Sequence, residues 1–139
     1  MTTAIPPLTG ANLGVAYFAI RKNLLDVLAD YDLTFEQSLL LNYLRQGSVA
    51  RADLVAATAD NIKVSAAEVE SHLDAAITRG LIADGLTLTA EGVRVQQEIT
   101  ERVQPLTKAF FADIPAEDLA VTARVLATLT DRANAALSA

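Results

Sequence analysis

The sequence predicts a mainly α fold, a winged helix-turn-helix with a short β-hairpin wing, flanked by N- and C-terminal dimerisation helices. Three observations carry this. First, Val64 to Ile82 reads as the second helix of a helix-turn-helix running directly into a strand. Ser65 and Glu68 stand at capping-box spacing, Val69, Leu73, Ala76 and Ile77 recur with helical period, and Gly80 stops the helix. Second, the period then shortens: Leu81-Ile82-Ala83 and Leu86-Thr87-Leu88-Thr89 flank Asp84-Gly85, a strong short hairpin signal. Third, 52% of residues are hydrophobic while only 5% are aromatic, an excess of Ala, Leu and Val that favours packed helices over an aromatic-lined sheet.

The other elements follow in chain order. Residues 1 to 10 form an N-terminal arm, extended through Pro6 and Pro7. From Thr9 or Ala11 to about Ala29, Leu13, Ala16, Tyr17, Ile20, Leu24, Val27 and Leu28 make one helical stripe and Val15, Phe18 and Leu25 a second. A helix with two apolar faces needs two partners, either a deep core or its own core and another subunit. Thr34 and Gln37 cap the next helix, whose stripe is Leu39, Leu40, Tyr43 and Leu44 and whose end is Gly47. Ser48-Val49-Ala50 is an edge-strand candidate. Arg51 to Thr58 or Ala59 is a helix of about two turns, joined to the Ser65 helix by a connector over Ala59 to Val64. Thr89 caps a helix from Ala90 to about Phe111, which Pro105 should bend or split at Gln104. The last helix, Ala116 to Leu137, again has two apolar stripes, Leu119, Ala123, Leu126, Ala133 and Leu137 on one side and Val121 and Val125 on another. The domain reading is therefore an arm at 1–10, a helical dimerisation region at 11–32 and 93–139, and a winged helix-turn-helix at 33–92.

Bulk properties narrow the function. A chain of 139 residues fits one domain, and the absence of cysteine excludes disulfides and thiolate metal sites and suits a reducing cytoplasm. No apolar run reaches the ~18 residues of a membrane span, and the N-terminus lacks the basic and long apolar segments of a secretory signal. The expectation is a cytoplasmic protein that does not engage membranes. A net charge of −6 opposes diffuse attraction to nucleic acid but leaves room for a local basic patch. High mean hydropathy in a small chain favours a homodimer that hides the surplus apolar surface.

Three motifs resemble the MarR family of winged-helix transcriptional regulators, over about residues 11 to 137. Val64 to Ile82 is similar to the family's recognition-helix line, with Asp74 at its acidic site and Arg79-Gly80-Leu81-Ile82 closing it. Leu88-Thr89-Ala90-Glu91-Gly92 resembles the LTxxG that ends the wing, and Leu33-Thr34-Phe35-Glu36-Gln37 the LTxxQ that opens the second helix. The resemblance implies a dimer formed by the terminal helices, binding to a pseudo-palindromic operator, and release by a small ligand held between the dimerisation helices and the winged domain.

The chain also departs from that pattern. Ala66 and Ser71 stand where the family carries arginines, with Glu68 and Glu70 between them, and the wing is cut to Ala83-Asp84-Gly85. The turn before the recognition helix is about four residues longer than usual, Asp60 to Lys63. Between Arg45 and Gly92 there are four basic side chains against seven acidic ones. Phosphate contacts supply most non-specific affinity for DNA, so this balance weakens a DNA role.

Candidate DNA contacts are Arg51, whose guanidinium suits a phosphate, together with Lys63, Ser65, Ser71 and Arg79. Ordinary capping and solvation account for the same residues equally simply. Candidate ligand-binding residues are Tyr17, Phe18, Arg21, Tyr31 and Tyr43, whose hydroxyls and single guanidinium suit a small aromatic or carboxylate ligand; core or interface packing is the alternative. His72, the one histidine, reads as a partly packed flank residue or a pH switch. No metal-ligand spacing, cofactor motif or catalytic constellation is present, so an enzyme is not expected. Two functions remain: a dimeric, ligand-responsive MarR-like DNA-binding regulator, or a winged-helix dimer that has lost DNA and serves as a protein-interaction or small-molecule-binding module.

Overall fold

The computed structural model describes residues 7–139, and six helices occupy most of them. They are α1 (Gly10–Ala29), α2 (Phe35–Leu44), α3 (Arg51–Ile62), α4 (Ala66–Thr78), α5 (Ala90–Phe111) and α6 (Ala116–Ser138). Two compact units divide the chain, the first ending at Pro105 and the second spanning Leu106–Ala139. Most of the arm expected at 1–10 lies outside the described residues; its end does not, and Gly10 already belongs to α1. Among the described residues no helix is long and apolar enough to cross a membrane.

Local chemistry sets the helix starts. The Thr9 hydroxyl accepts the Asn12 amide while Asn12 returns a bond to the Thr9 backbone, and Thr34 and Gln37 do the same at α2. Each box satisfies two amides that the first helical turn would otherwise leave open. At α4 the Ser65 hydroxyl accepts the Glu68 amide at 3.1 Å, but among the described residues Glu68 makes no return bond, so only half of the expected box forms.

The core of the first unit lies where α2, α3 and α4 pack together. Leu28, Leu40, Leu41, Leu54, Val69, Leu73 and Ile82 are its fully buried large side chains. Burying each contributes on the order of 1.5–3 kcal/mol, so these few residues fix how α4 is presented. The α4 stripe falls inward as its spacing requires, with Val69, Leu73 and Ala76 buried. On α2 the buried positions are Gln37, Leu40, Leu41 and Leu44; Tyr43, expected on the inner stripe, is 41% exposed.

Several elements differ from the sequence expectation. α3 runs to Ile62, so the connector to α4 is only Lys63-Val64-Ser65. The supposed extra turn residues are wound into a third turn of helix. Lys63 ends it in the left-handed region at φ 57°, a position usually given to glycine, while the Val64 amide bonds the Ala59 carbonyl. Ser48-Val49-Ala50 forms no strand; instead the Ser48 hydroxyl donates to the Gly85 carbonyl at 2.9 Å. Pro105 does not split α5, which is helical to Phe111. Proline removes its own amide hydrogen bond, and the remaining bonds on either side sustain the helix.

The expected hairpin wing is reduced to one antiparallel bridge, between Ile82 and Leu88, and no longer strand forms among the described residues. The Leu86 amide bonds the Ala83 carbonyl at 2.8 Å, closing a turn on Asp84 and Gly85. Leu86 itself sits at φ 58° and is buried. A left-handed conformation costs a non-glycine residue about 1–2 kcal/mol, which burial of a leucine offsets.

The end of this segment is pinned to α5. The Thr89 amide bonds the Leu81 carbonyl at 3.1 Å, its hydroxyl donates to the Gly80 carbonyl at 2.6 Å, and the same oxygen accepts the Gly92 amide at 3.0 Å. α5 thereby approaches the 80–81 backbone so closely that a Cβ on Gly92 would lie 2.0 Å from the Leu81 carbonyl oxygen. Thr89 and Gly92, the two defining positions of the LTxxG match, thus have concrete work: one bridges the wing to α5, and the other leaves room for it.

Candidate nucleic-acid interface

α3, the three-residue turn and α4 form the helix-turn-helix, with the inner face of α4 sealed on the core. Its outer side carries exposed Ala66, Ala67, Glu68, Ser71 and Asp74, with Glu70 half-buried beside them. Ser71 lies on α4 as an exposed residue, and Ser65 uses its oxygen to cap the helix. A small, acidic surface therefore occupies the position expected to face a duplex.

Each cationic candidate is engaged inside the chain. The Arg51 guanidinium donates from Nε and from a terminal nitrogen to one Glu70 carboxylate oxygen, at 2.9 and 2.5 Å, and from that terminal nitrogen to Asp74 at 2.7 Å. The bond to Glu70, and then that to Asp74, raises the Arg51 pKa above its ordinary value. Lys63 pairs with Asp60 at 3.1 Å. Arg79 donates to the backbone carbonyls of Asp32 at 2.6 Å and Tyr31 at 2.8 Å. It ties the end of α4 to the turn between α1 and α2. Planar, forked donors suit both carboxylates and adjacent carbonyls, which is why arginine fills both roles.

The Arg51 and Arg79 partners were not evident from the sequence. Glu70 and Asp74 share an i,i+4 spacing, a usable hint that both point the same way, but nothing local names Arg51 as their partner. Arg102 was also missed. It pairs with Asp30 at 2.8 Å and lies 5.7 Å from the centre of the Tyr31 ring, contacts that raise its pKa, Asp30 first. Residues 30–32 are therefore held by two arginines, Arg79 just after α4 and Arg102 from α5.

The ligand candidates are distributed over α1, the turn after it and α2. Tyr17 and Phe18 stand with ring centres 5.6 Å apart, tilted by 58°, and both are exposed. Arg21 lies over the Phe35 ring at 4.7 Å, Tyr31 is engaged by Arg102, and Tyr43 faces out from α2. His72 is half-buried, its Nδ1 3.2 Å from the Thr34 hydroxyl and its Nε2 3.6 Å from Glu36. It packs α4 against the start of α2, as the flank reading expects. Among the described residues no three His, Cys, Asp or Glu side chains group as metal ligands.

Solved structures share this architecture. The reduced form of MarR from E. coli is 20% identical, with 91% of this chain and 95% of that chain covered at a TM-score of 0.67. The chain has the MarR fold. Ligand-free NadR matches at 23% identity and a TM-score of 0.72, covering 91% of this chain and 99% of that one. BpsR of Bordetella bronchiseptica, whose DNA binding is regulated by 6-hydroxynicotinic acid, matches at 22% identity, 92% and 98% coverage and a TM-score of 0.71. No family model and no curated protein sequence matches the chain. In this fold α3 and α4 form the helix-turn-helix, and the tight turn on Asp84 and Gly85 follows α4.

Proposed function

We propose that the chain is a dimeric MarR-like DNA-binding transcriptional regulator with a short wing over residues 81–89, and that it is not an enzyme. The observation that carries this reading is α4: Val69, Leu73 and Ala76 on its inner side are buried, Ala66, Ala67, Glu68, Ser71 and Asp74 on its outer side are exposed, and it follows α3 through a three-residue turn. A rigid helix offered this way is the element that enters a major groove in helix-turn-helix proteins. The dimer is supported by α1, whose Val15 and Phe18 are 71% and 63% exposed, and by α6, which has no buried residue. Two apolar helices left open are what a symmetric second copy would cover. The effector is a small aromatic or carboxylate ligand taken by Tyr17, Phe18, Arg21, Tyr31 and Tyr43; the 6-hydroxynicotinic acid that regulates BpsR is of that chemistry. Of the DNA candidates, Lys63 and Ser65 precede α4, Ser71 lies on its exposed side, and Arg79 holds its end in place.

The test is fluorescence anisotropy with labelled promoter DNA and a random duplex. Expected binding is nanomolar to micromolar with steep salt dependence, and Lys63→Ala weakens it about threefold. Dimeric protein at tens of micromolar that retains neither duplex in low salt sinks the proposal.

A second reading has its own observation, the internal engagement of Arg51, Lys63 and Arg79. In that reading the dimer has lost DNA and serves protein interaction or small-molecule binding. Sequence-specific protection of a promoter segment by the purified dimer rules it out.

A further inference from the structure

We propose that Glu70 and Asp74 act as an intramolecular latch that occupies Arg51 in place of a DNA phosphate. The inference rests on the DNA-binding reading and concerns how that site is regulated. Arg51 is the first residue of α3, and Ala50 before it supplies no side-chain cap. A cation beside open amides at a helix N-terminus is locally unfavourable, because the end of the helix already carries partial positive charge. Such a place suits an anion. Here the anions are two carboxylates of α4, one turn apart, which take Nε and a terminal nitrogen of the same guanidinium. A phosphate presents the same acceptor chemistry, so it must displace Glu70 and Asp74 to reach the fork.

The arrangement is exposed enough to open. Side-chain exposure is 39% for Arg51, 40% for Glu70 and 66% for Asp74, so both pairs are screened by solvent and each is individually weak. Asp53 stands in the same first turn of α3 and adds negative charge without joining the fork. The latch therefore lowers affinity for any duplex without preventing binding. Its contribution is largest at low salt, where phosphate and carboxylate compete most strongly for the same donor.

Four proteins separate the terms: wild type, Arg51→Ala, Glu70→Gln with Asp74→Asn, and the triple variant. Each is checked for helical content and melting temperature, then titrated with a fluorescein-labelled random duplex between about 50 and 200 mM salt. The Glu70→Gln, Asp74→Asn protein binds about tenfold tighter than wild type, and its salt slope steepens by about one per protomer. Arg51→Ala weakens wild type about twofold but removes most of the gain from the double variant, a non-additivity that removal of repulsion alone cannot give. If the triple variant keeps the tenfold gain, charge removal explains it and the latch is overturned while DNA binding stands. Equal losses on Arg51→Ala in both backgrounds also overturn the latch. Should no variant bind duplex at any salt, the DNA reading itself fails, and the latch with it.

Discussion

The α2–α4 scaffold and the N-terminal half of α1 are built from the same kinds of residue and end in opposite situations. Leu40, Leu41, Leu54, Val69 and Leu73 are fully buried, whereas Val15, Tyr17, Phe18 and Ile20 of α1 are exposed. Helical spacing is equally good in both regions. Periodicity records how many apolar faces a helix has, and tertiary packing decides which of them the chain itself covers. Within α4 the contrast recurs across a single helix: the inner face is set by close packing, the outer by the distribution of charge.

The largest effect expected within the scaffold comes from Gly92→Ala. Its Cβ would sit 2.0 Å from a backbone oxygen, so α5 must move away from residue 81, and a loss of about 4 kcal/mol or failure to fold is expected in urea denaturation. A melting temperature within a degree or two of wild type would show that the close approach is not needed. Next comes a matched pair, Leu73→Ala in the scaffold and Phe18→Ala on α1. The first leaves a cavity at a fully buried site and costs about 3 kcal/mol. The second is expected to change the stability of the monomer by about 0.5 kcal/mol or less, yet to shift sedimentation toward monomer and make melting depend more steeply on protein concentration. Equal costs for the two at low micromolar protein would erase the distinction between the regions.

The smallest effect is electrostatic. Arg94 bonds Glu91 and Glu98 on the exposed side of α5, and the Glu91 bond lowers the Glu91 pKa from 4.5. A carboxylate with a depressed folded pKa contributes stability above about pH 4.5 that is lost as pH falls through the folded value. Glu91→Gln should therefore melt slightly lower than wild type at pH 7, by about 1 °C, and the two curves should converge in acid. A gap that widens in acid contradicts the sign of this contribution.

The features legible in the sequence are those decided within a few residues. Thr34 with Gln37, Ser65 before α4, Gly80 after it and Thr89 at α5 are local hydrogen-bond problems with local solutions. The length of α3 was hidden because Asp60, Asn61 and Lys63 lack an apolar rhythm and a lysine, instead of glycine, takes the left-handed stop. Asp84-Gly85 signals a turn accurately but says nothing about how many rungs flank it, and a single bridge forms among the described residues. For the candidate interface, composition revealed its acidity, yet the contacts that determine its behaviour join residues 19 and 23 positions apart for Arg51, and 47 and 48 apart for Arg79. Those distances depend on how α3, α4 and the end of α1 cross, which no local pattern encodes.

The turn around Leu86 has a geometric consequence for the proposed complex. An extended residue spans at most about 3.4 Å, so the five residues 83–87 that double back between Ile82 and Leu88 project at most about 10 Å past that bridge. That stays within the ~12 Å width of the major groove that α4 would occupy. A duplex docked on α4 would thus be gripped mainly along one stretch per protomer, with little of the loop left to reach around its flank. Hydroxyl-radical footprints should then show two compact windows about one helical turn or a multiple of it apart, with the outer edges left open to cleavage.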